Sequence, residues 1–101
     1  MKTRIDLHSM LEAILGSENV YFQPPESVKM SYPAIVYSRD RITNDYADNI
    51  VYKQEPAYMI TVIDKNPDSE IVSKVSKIPR CRYERGYRSN NLNHDVFFIY
   101  W

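Results

Sequence analysis

The chain has 101 residues, and its 13 Lys and Arg balance 13 Asp and Glu, so the formal net charge is zero. An apolar share of 44% beside 26% charged residues is typical of one globular domain and argues against a disordered chain. No apolar run approaches the ~20 residues of a membrane-spanning helix, and the first residues lack the apolar core of a signal peptide. The single cysteine, Cys81, cannot form an internal disulfide, which favours a reducing compartment.

The residues that carry most enzyme chemistry are few and scattered. The two glycines, Gly16 and Gly86, stand far apart, whereas a phosphate-binding loop needs several close together. His8, His94 and Cys81 show no zinc-ligand spacing. We therefore expect no catalytic residues, no metal and no cofactor, although a site assembled in three dimensions stays open.

The first predicted element is an amphipathic helix. Thr3 is a suitable N-cap with Asp6 three residues later, and Gly16 stands where a left-handed residue would end the helix. A buried stripe at helical spacing is formed by Leu7, Met10, Leu11, Ile14 and Leu15.

Strands follow the helix. Residues 20–23 are rich in β-forming side chains, residues 34–39 are apolar on both faces, and residues 58–63 give the strongest strand pattern. The segment before the third strand is polar and turn-rich. Residues 50–52 can pair briefly before Pro56 interrupts. Since the segment is long for a hairpin, we expect a protruding arm around residues 40–57.

A second helix is predicted after the third strand. Asn66 is the expected N-cap and Pro67 the first helical residue, and Pro79 ends the helix. Its buried stripe would be Ile71, Val72, Val75 and Ile78.

Two more strands complete the chain. Residues 81–87 alternate, which places Cys81, Tyr83 and Arg85 on one face, and a turn follows at residues 89–91. Residues 96–101 are apolar on both faces, so this strand should be central or buried against a neighbouring molecule.

The order of elements is α-β-β-β-α-β-β. It predicts an α+β fold in which a single sheet of about four to five mostly antiparallel strands has both helices packed on one face. We expect one domain over residues 1–101, with the arm protruding from it.

The zero net charge hides two blocks of opposite sign. Residues 40–70 hold seven acids and three bases, whereas residues 74–88 hold six bases and one acid. Both blocks can be solvated faces. Alternatively, the acidic arm of one subunit meets the basic hairpin of the next, which allows a head-to-tail ring to close. The residues expected at that boundary are Asp45, Tyr46, Asp48, Arg82, Arg85 and Arg88.

A different interpretation of the basic block is nucleic-acid binding. Arginines interleaved with tyrosines can hold phosphates and stack bases. A standalone nucleic-acid binder is usually basic overall, however, whereas this chain is neutral. The residues concerned are Arg80, Arg82, Tyr83, Arg85, Tyr87 and Arg88.

Several blocks together resemble a known family. They are Val-Tyr-Phe-Gln-Pro-Pro at 20–25, Tyr-Pro-Ala-Ile-Val-Tyr at 32–37, Tyr-Ala-Asp-Asn at 46–49, Thr-Val-Ile-Asp-Lys-Asn-Pro-Asp-Ser at 61–69 and Asn-Leu-Asn-His-Asp-Val-Phe at 91–97. In combination they resemble small virion proteins from the head–tail joining region of long-tailed bacteriophages, chiefly tail terminators or tail-completion proteins. The resemblance covers roughly residues 18 to 101.

The resemblance implies a structural protein without catalytic residues. Tail terminators form a ring, usually a hexamer, on the last ring of the tail tube, where they stop tube growth and present a surface to the head connector. The implied partners are further copies of the chain, the tail tube protein and a head connector or stopper protein. DNA would only pass through the ring lumen, and no membrane is involved.

The implied location is the virion, after assembly in the host cytoplasm. A connector or stopper of the neck is the first alternative. A hydrolase or nucleic-acid enzyme that uses His94 or Cys81 is a distant one.

Overall fold

The computed structural model describes residues 3–47 and 50–101, and for residues 41–47 and 50–55 it describes the backbone. Seven elements follow one another in the predicted order. The helices and strands are α1 (Arg4–Leu15), β1 (Val20–Phe22), β2 (Ala34–Ala47), β3 (Ile50–Asp64), α2 (Glu70–Ser76), β4 (Cys81–Ser89) and β5 (Leu92–Tyr100).

The strands form one five-stranded sheet in the order β1-β2-β3-β5-β4, which confirms the predicted α+β fold. β1 runs parallel to β2, and the other three pairs are antiparallel. The last strand is therefore central, as its apolar composition predicts, and β4 is an edge strand. Neither helix within residues 3–47 and 50–101 is long and apolar enough to cross a membrane.

Local signals produce α1 as predicted. The Thr3 hydroxyl accepts a hydrogen bond from the Asp6 amide at 3.2 Å, and the Asp6 carboxylate accepts one from the Thr3 amide at 2.9 Å. Gly16 ends the helix with φ 78°, a left-handed conformation that costs little without a Cβ. Leu7 and Leu11 are fully buried on the predicted apolar stripe.

The start of α2 differs from the prediction. Ser69, not Asn66, is the N-cap, and its hydroxyl accepts a hydrogen bond from the Ile71 amide at 3.3 Å. The Asn66 side chain instead accepts from the Asp68 amide at 2.9 Å. That local hydrogen bond competes with helix capping, so the chain turns once more before the helix begins.

The core lies between the two helices and one face of the sheet, here called the helix face. Arg4 and His8 of α1 contact Tyr37, whose hydroxyl accepts a hydrogen bond from Arg4 at 3.0 Å and lies 2.7 Å from His8 Nδ1. Burial is the main cause that raises the Tyr37 pKa. The buried cluster comprises Leu7, Leu11, Val20, Ile35, Tyr37, Tyr58, Ile60, Val62, Val75, Ile78, Phe97 and Ile99.

Strands β2 and β3 extend further than predicted. They continue to pair as far as Ala47 and Ile50, through the segment that the sequence marks as polar and turn-rich. Pro56 does not interrupt β3. Its carbonyl accepts a hydrogen bond from the Trp101 amide at 2.9 Å, so its nitrogen also faces the β5 side. The missing N–H of the proline is therefore not required for pairing with β2.

The complete burial of Leu11 predicts a large effect of truncation. Leu11→Ala should lower the free energy of unfolding by about 2–4 kcal/mol, because it leaves a cavity between α1 and the sheet. Urea denaturation measures this loss. Ile5→Ala on the exposed side of α1 is the control and should change stability by less than about 0.5 kcal/mol. Equal effects of the two changes would contradict the placement of α1.

Candidate interaction surface

Strand β4 is an exposed edge of the sheet. It pairs with β5 on one side, and every residue after Cys81 is exposed. A two-residue turn joins the two strands, in which Asn90 and Asn91 have φ values of 52° and 61°. Asparagine tolerates this left-handed region better than most residues, and two such residues in succession suit the twist of a tight β-hairpin.

A bulge at Glu84 decides which arginines share a face. Tyr83 pairs with Phe97, but the next paired residue on β4 is Arg85, opposite Val96. The extra residue reverses the alternation, so Arg85 lies on the same face as Arg82. This face points away from the helices, because Phe97 on the other face belongs to the core cluster. It is here called the outer face.

The bulge corrects the predicted alternation. Cys81 and Tyr83 share the helix face, whereas Arg85 lies on the outer face. Arg88 pairs with Asn93 and so lies on the helix face. Of the three arginines predicted at one boundary, Arg82 and Arg85 are brought together and Arg88 is separated from them.

Aromatic rings underlie the arginines of the outer face. The Arg82 guanidinium carbon lies 5.0 Å from the centre of the Phe98 ring, and that of Arg85 lies 5.8 Å from the Tyr87 ring. Tyr87 in turn stacks on His94, with ring centres 4.7 Å apart.

Arg80 extends the row, since its guanidinium carbon is 5.6 Å from the centre of the Tyr100 ring. Such cation–π contacts hold a guanidinium in place. The Arg82 guanidinium is held further by its neighbour on the bulge, since its Nε donates a hydrogen bond to Glu84 Oε1 at 3.0 Å. We call this row the basic–aromatic surface. It comprises Arg80, Arg82, Arg85, Tyr87, His94, Phe98 and Tyr100.

On the helix face, β4 is held to β5 by a side-chain contact. The Tyr83 hydroxyl donates to Asp95 Oδ1 at 2.9 Å, and this bond is the main cause that raises the Tyr83 pKa. Gly86 pairs with Asp95, and a Cβ at residue 86 would collide with the Tyr83 hydroxyl. A glycine is thus needed there for Tyr83 to reach across β4.

The acidic half of the predicted boundary is outside the described side chains. Asp45 and Tyr46 lie in β2, where the backbone alone is described, and Asp48 lies outside the described residues. Of the rings in the basic–aromatic surface, Tyr87 was expected from sequence, whereas the contribution of the last strand was missed. The sequence signal for these rings is that His94, Phe98 and Tyr100 are all even-numbered and so lie on one face of the last strand. This face can be assigned to the arginines only when the pairing of β4 with β5 is known.

Cys81 and His94 do not approach one another as a catalytic pair. Cys81 is opposite Ile99 on the helix face, whereas His94 is opposite Tyr87 on the outer face. Burial raises the pKa of the Cys81 thiol to about 11, so the thiol is protonated at neutral pH, unlike an activated nucleophile. Within the described part of the chain, no three His, Cys, Asp or Glu residues are grouped to hold a metal ion.

Comparison of the chain with protein-family models, curated proteins and solved structures gave no significant match in any of the three. The geometry of the surface and the residue blocks of the sequence therefore carry the functional argument.

The raised pKa of Cys81 predicts the pH profile of its alkylation. In the folded chain the rate with iodoacetamide should keep rising up to about pH 11, whereas in denaturing urea it should level off above the ordinary thiol value of 9.0. Because the neutral thiol is favoured in the folded state, this residue's contribution to stability is complete below pH 9 and is lost as the pH rises towards 11. Mass spectrometry measures the rate. Coincident profiles would contradict the burial of Cys81.

Proposed function

We propose that this protein is a structural virion protein that forms a ring at the head-proximal end of a phage tail, where it ends tube growth and joins the tail to the head connector. The observation that carries the proposal is the exposed edge strand β4, on which the bulge brings Arg82 and Arg85 together. The acidic hairpin stands elsewhere in the same neutral chain. The residue blocks at 20–25, 32–37 and 61–69 support the choice of family.

Two patches of opposite charge on one subunit suit a ring. A ring built by rotation needs two different, complementary patches on each subunit, because each copy contacts its neighbours through different surfaces. The basic patch is the outer face of β4, and the acidic patch is the hairpin that contains Asp45, Tyr46 and Asp48. Charge would orient the subunits, and aromatic contacts would contribute more of the affinity.

The ring, usually a hexamer in the family, would have the tail tube protein on one side and a connector or stopper on the other, with DNA passing through the lumen. The alternative is a connector or stopper protein of the neck, which would also form a ring but would bind a different partner. We propose no enzymatic activity, since Cys81 and His94 lie on opposite faces of the sheet.

Oligomeric state is the first test of the proposal. Size-exclusion chromatography with multi-angle light scattering should find a closed oligomer, and negative-stain images should show rings on the ends of isolated tail tubes. Binding to the tube end distinguishes a terminator from a connector, which would bind head connectors instead. A chain that remains monomeric at high concentration and binds neither partner would overturn the proposal.

Charge reversal tests the contact between subunits. The double change Arg82→Glu with Arg85→Glu should raise the concentration needed for assembly by about tenfold at low salt and by less at high salt. Adding Asp45→Lys and Asp48→Lys should restore part of the loss. Arg88→Glu is the matched control, because Arg88 lies on the helix face and should have a smaller effect. Unchanged assembly of the first double variant at low salt would contradict the charge contact.

A second candidate function is the binding of single-stranded nucleic acid. It is favoured by the row of arginines on aromatic rings across the outer face. The faces of these aromatic side chains already contact guanidinium groups, however, so they are less accessible to stack on bases. The surface therefore suits contacts with phosphates better than base stacking.

This candidate predicts that a fluorescent oligonucleotide binds with an affinity that falls steeply with salt. Arg82→Glu with Arg85→Glu should then remove binding, while Arg88→Glu should retain most of it. Fluorescence anisotropy measures the affinity. An oligonucleotide that does not bind the unaltered chain at low salt would dismiss this function.

A further inference from the structure

The two-residue turn at Asn90 and Asn91 sets the hydrogen-bonding phase of β4. In such a hairpin, the residues that flank the turn, here Ser89 and Leu92, form a hydrogen-bonded pair. Along an antiparallel ladder, hydrogen-bonded pairs alternate with pairs that are not hydrogen-bonded. Hence Tyr87 and Arg85 direct their backbone groups towards β5, whereas Gly86 and Arg88 direct theirs away from it.

Hydrogen bonds at the far end of β5 agree with this phase. The Tyr100 amide donates to the Arg80 carbonyl at 3.2 Å, so even-numbered residues of β5 bond to the β4 side. The Trp101 amide donates to the Pro56 carbonyl at 2.9 Å, so odd-numbered residues bond to β3. Because the same phase holds on both sides of the Glu84 bulge, the amides of Gly86 and Arg88 face outward. In the described part of the chain, no strand lies on that side.

The hairpin of β2 and β3 is the second open element. β3 pairs with β5 from Ala57 onward, and β1 covers β2 as far as Tyr37. Beyond these points the two strands pair with each other as far as Ala47 and Ile50, and no other described strand lies beside them. A two-stranded hairpin by itself is marginally stable in water, so this element gains from a further strand.

The charges of the two elements are complementary. Residues 40–55 contain four acids and two bases, whereas β4 contains three arginines and one glutamate. The open basic edge is β4, on one side of the sheet, and the open acidic hairpin belongs to β2 and β3, so they are two different patches of one chain. They fit a head-to-tail arrangement, in which each copy offers its hairpin to the next.

We propose that β4 of one copy receives an outer edge of the residue 41–55 hairpin of a second copy as an added strand. The inference rests on the proposed ring and specifies its contact: main-chain hydrogen bonds join the subunits, and the flanking charges set register and orientation. The sheet then continues from one subunit to the next.

Arg88→Pro tests the main-chain contact. Proline is tolerated in an edge strand where the N–H faces outward, so the fold should survive, while the amide needed for strand addition is removed. We expect assembly to need about tenfold more protein than for the unaltered chain. Arg88→Gln is the control, since it removes the charge and keeps the amide, and it should assemble nearly as the unaltered chain does. Urea denaturation verifies that each variant folds.

A second variant keeps the test informative if Arg88→Pro unfolds. Thr43 and Glu55 are paired across the hairpin, so residues 44–54 can be replaced by Asn-Gly to close a shorter hairpin. This arm-shortened chain should be monomeric. If Arg88→Pro does fold, a mixture of the two variants should contain heterodimers, because the arm-shortened chain keeps β4 and Arg88→Pro keeps the hairpin.

The outcomes separate this inference from the proposed function. If the arm-shortened chain dimerises by itself, β4 pairs with β4 and the inference is overturned. If folded Arg88→Pro, or the arm-shortened chain, assembles like the unaltered chain, the ring stands but strand addition is wrong. If the unaltered chain never assembles, both the ring and its contact are wrong.

Discussion

Burial of β5 on both faces is the constraint on which the rest of the structure depends. Residues 96–99 are buried in succession, so one set of alternate side chains packs under the helices and the other set lies on the outer face. A shift of one residue would exchange the two sets and expose the core. The register of β5 therefore fixes where β3 and β4 pair, and it fixes which side of the sheet the helices cover.

The Glu84 bulge determines which side chains of β4 lie on the outer face of the sheet. Without the extra residue, Arg82 would share a face with Arg88, and Arg85 would lie on the opposite face. With it, the guanidinium groups of Arg82 and Arg85 lie over two aromatic rings on one face. The bulge also bends and twists the edge, which limits pairing with arbitrary strands. The same local feature thus decides which two arginines share the outer face, and it restricts which partner strand the edge accepts.

The proposed assembly explains why a neutral chain carries separated charges. In the proposed ring, opposite blocks on one subunit would attract neighbours head to tail and would leave the closed ring close to neutral. The edge of β4 and the β2–β3 hairpin belong to different parts of the sheet, so one subunit cannot satisfy both through its own strands. Surface ion pairs contribute little energy each, and the main-chain hydrogen bonds of an added strand supply the continuous contact that they lack.

The sequence by itself determined the elements whose signals are local. The Thr3 cap, the apolar spacing and Gly16 predicted α1, and the composition of the last strand predicted burial of both its faces, because these signals are read from the segment alone. That the last strand lies inside the sheet, and not against a neighbouring molecule, was decided by its pairing with β3 and β4. Tertiary structure decided the rest. Ser69 caps α2 because Asn66 is held in a turn, and β2 and β3 continue through polar residues because each pairs with the other. The bulge that moves Arg85 to the outer face exists only in the pairing of β4 with β5, which no single-strand periodicity encodes.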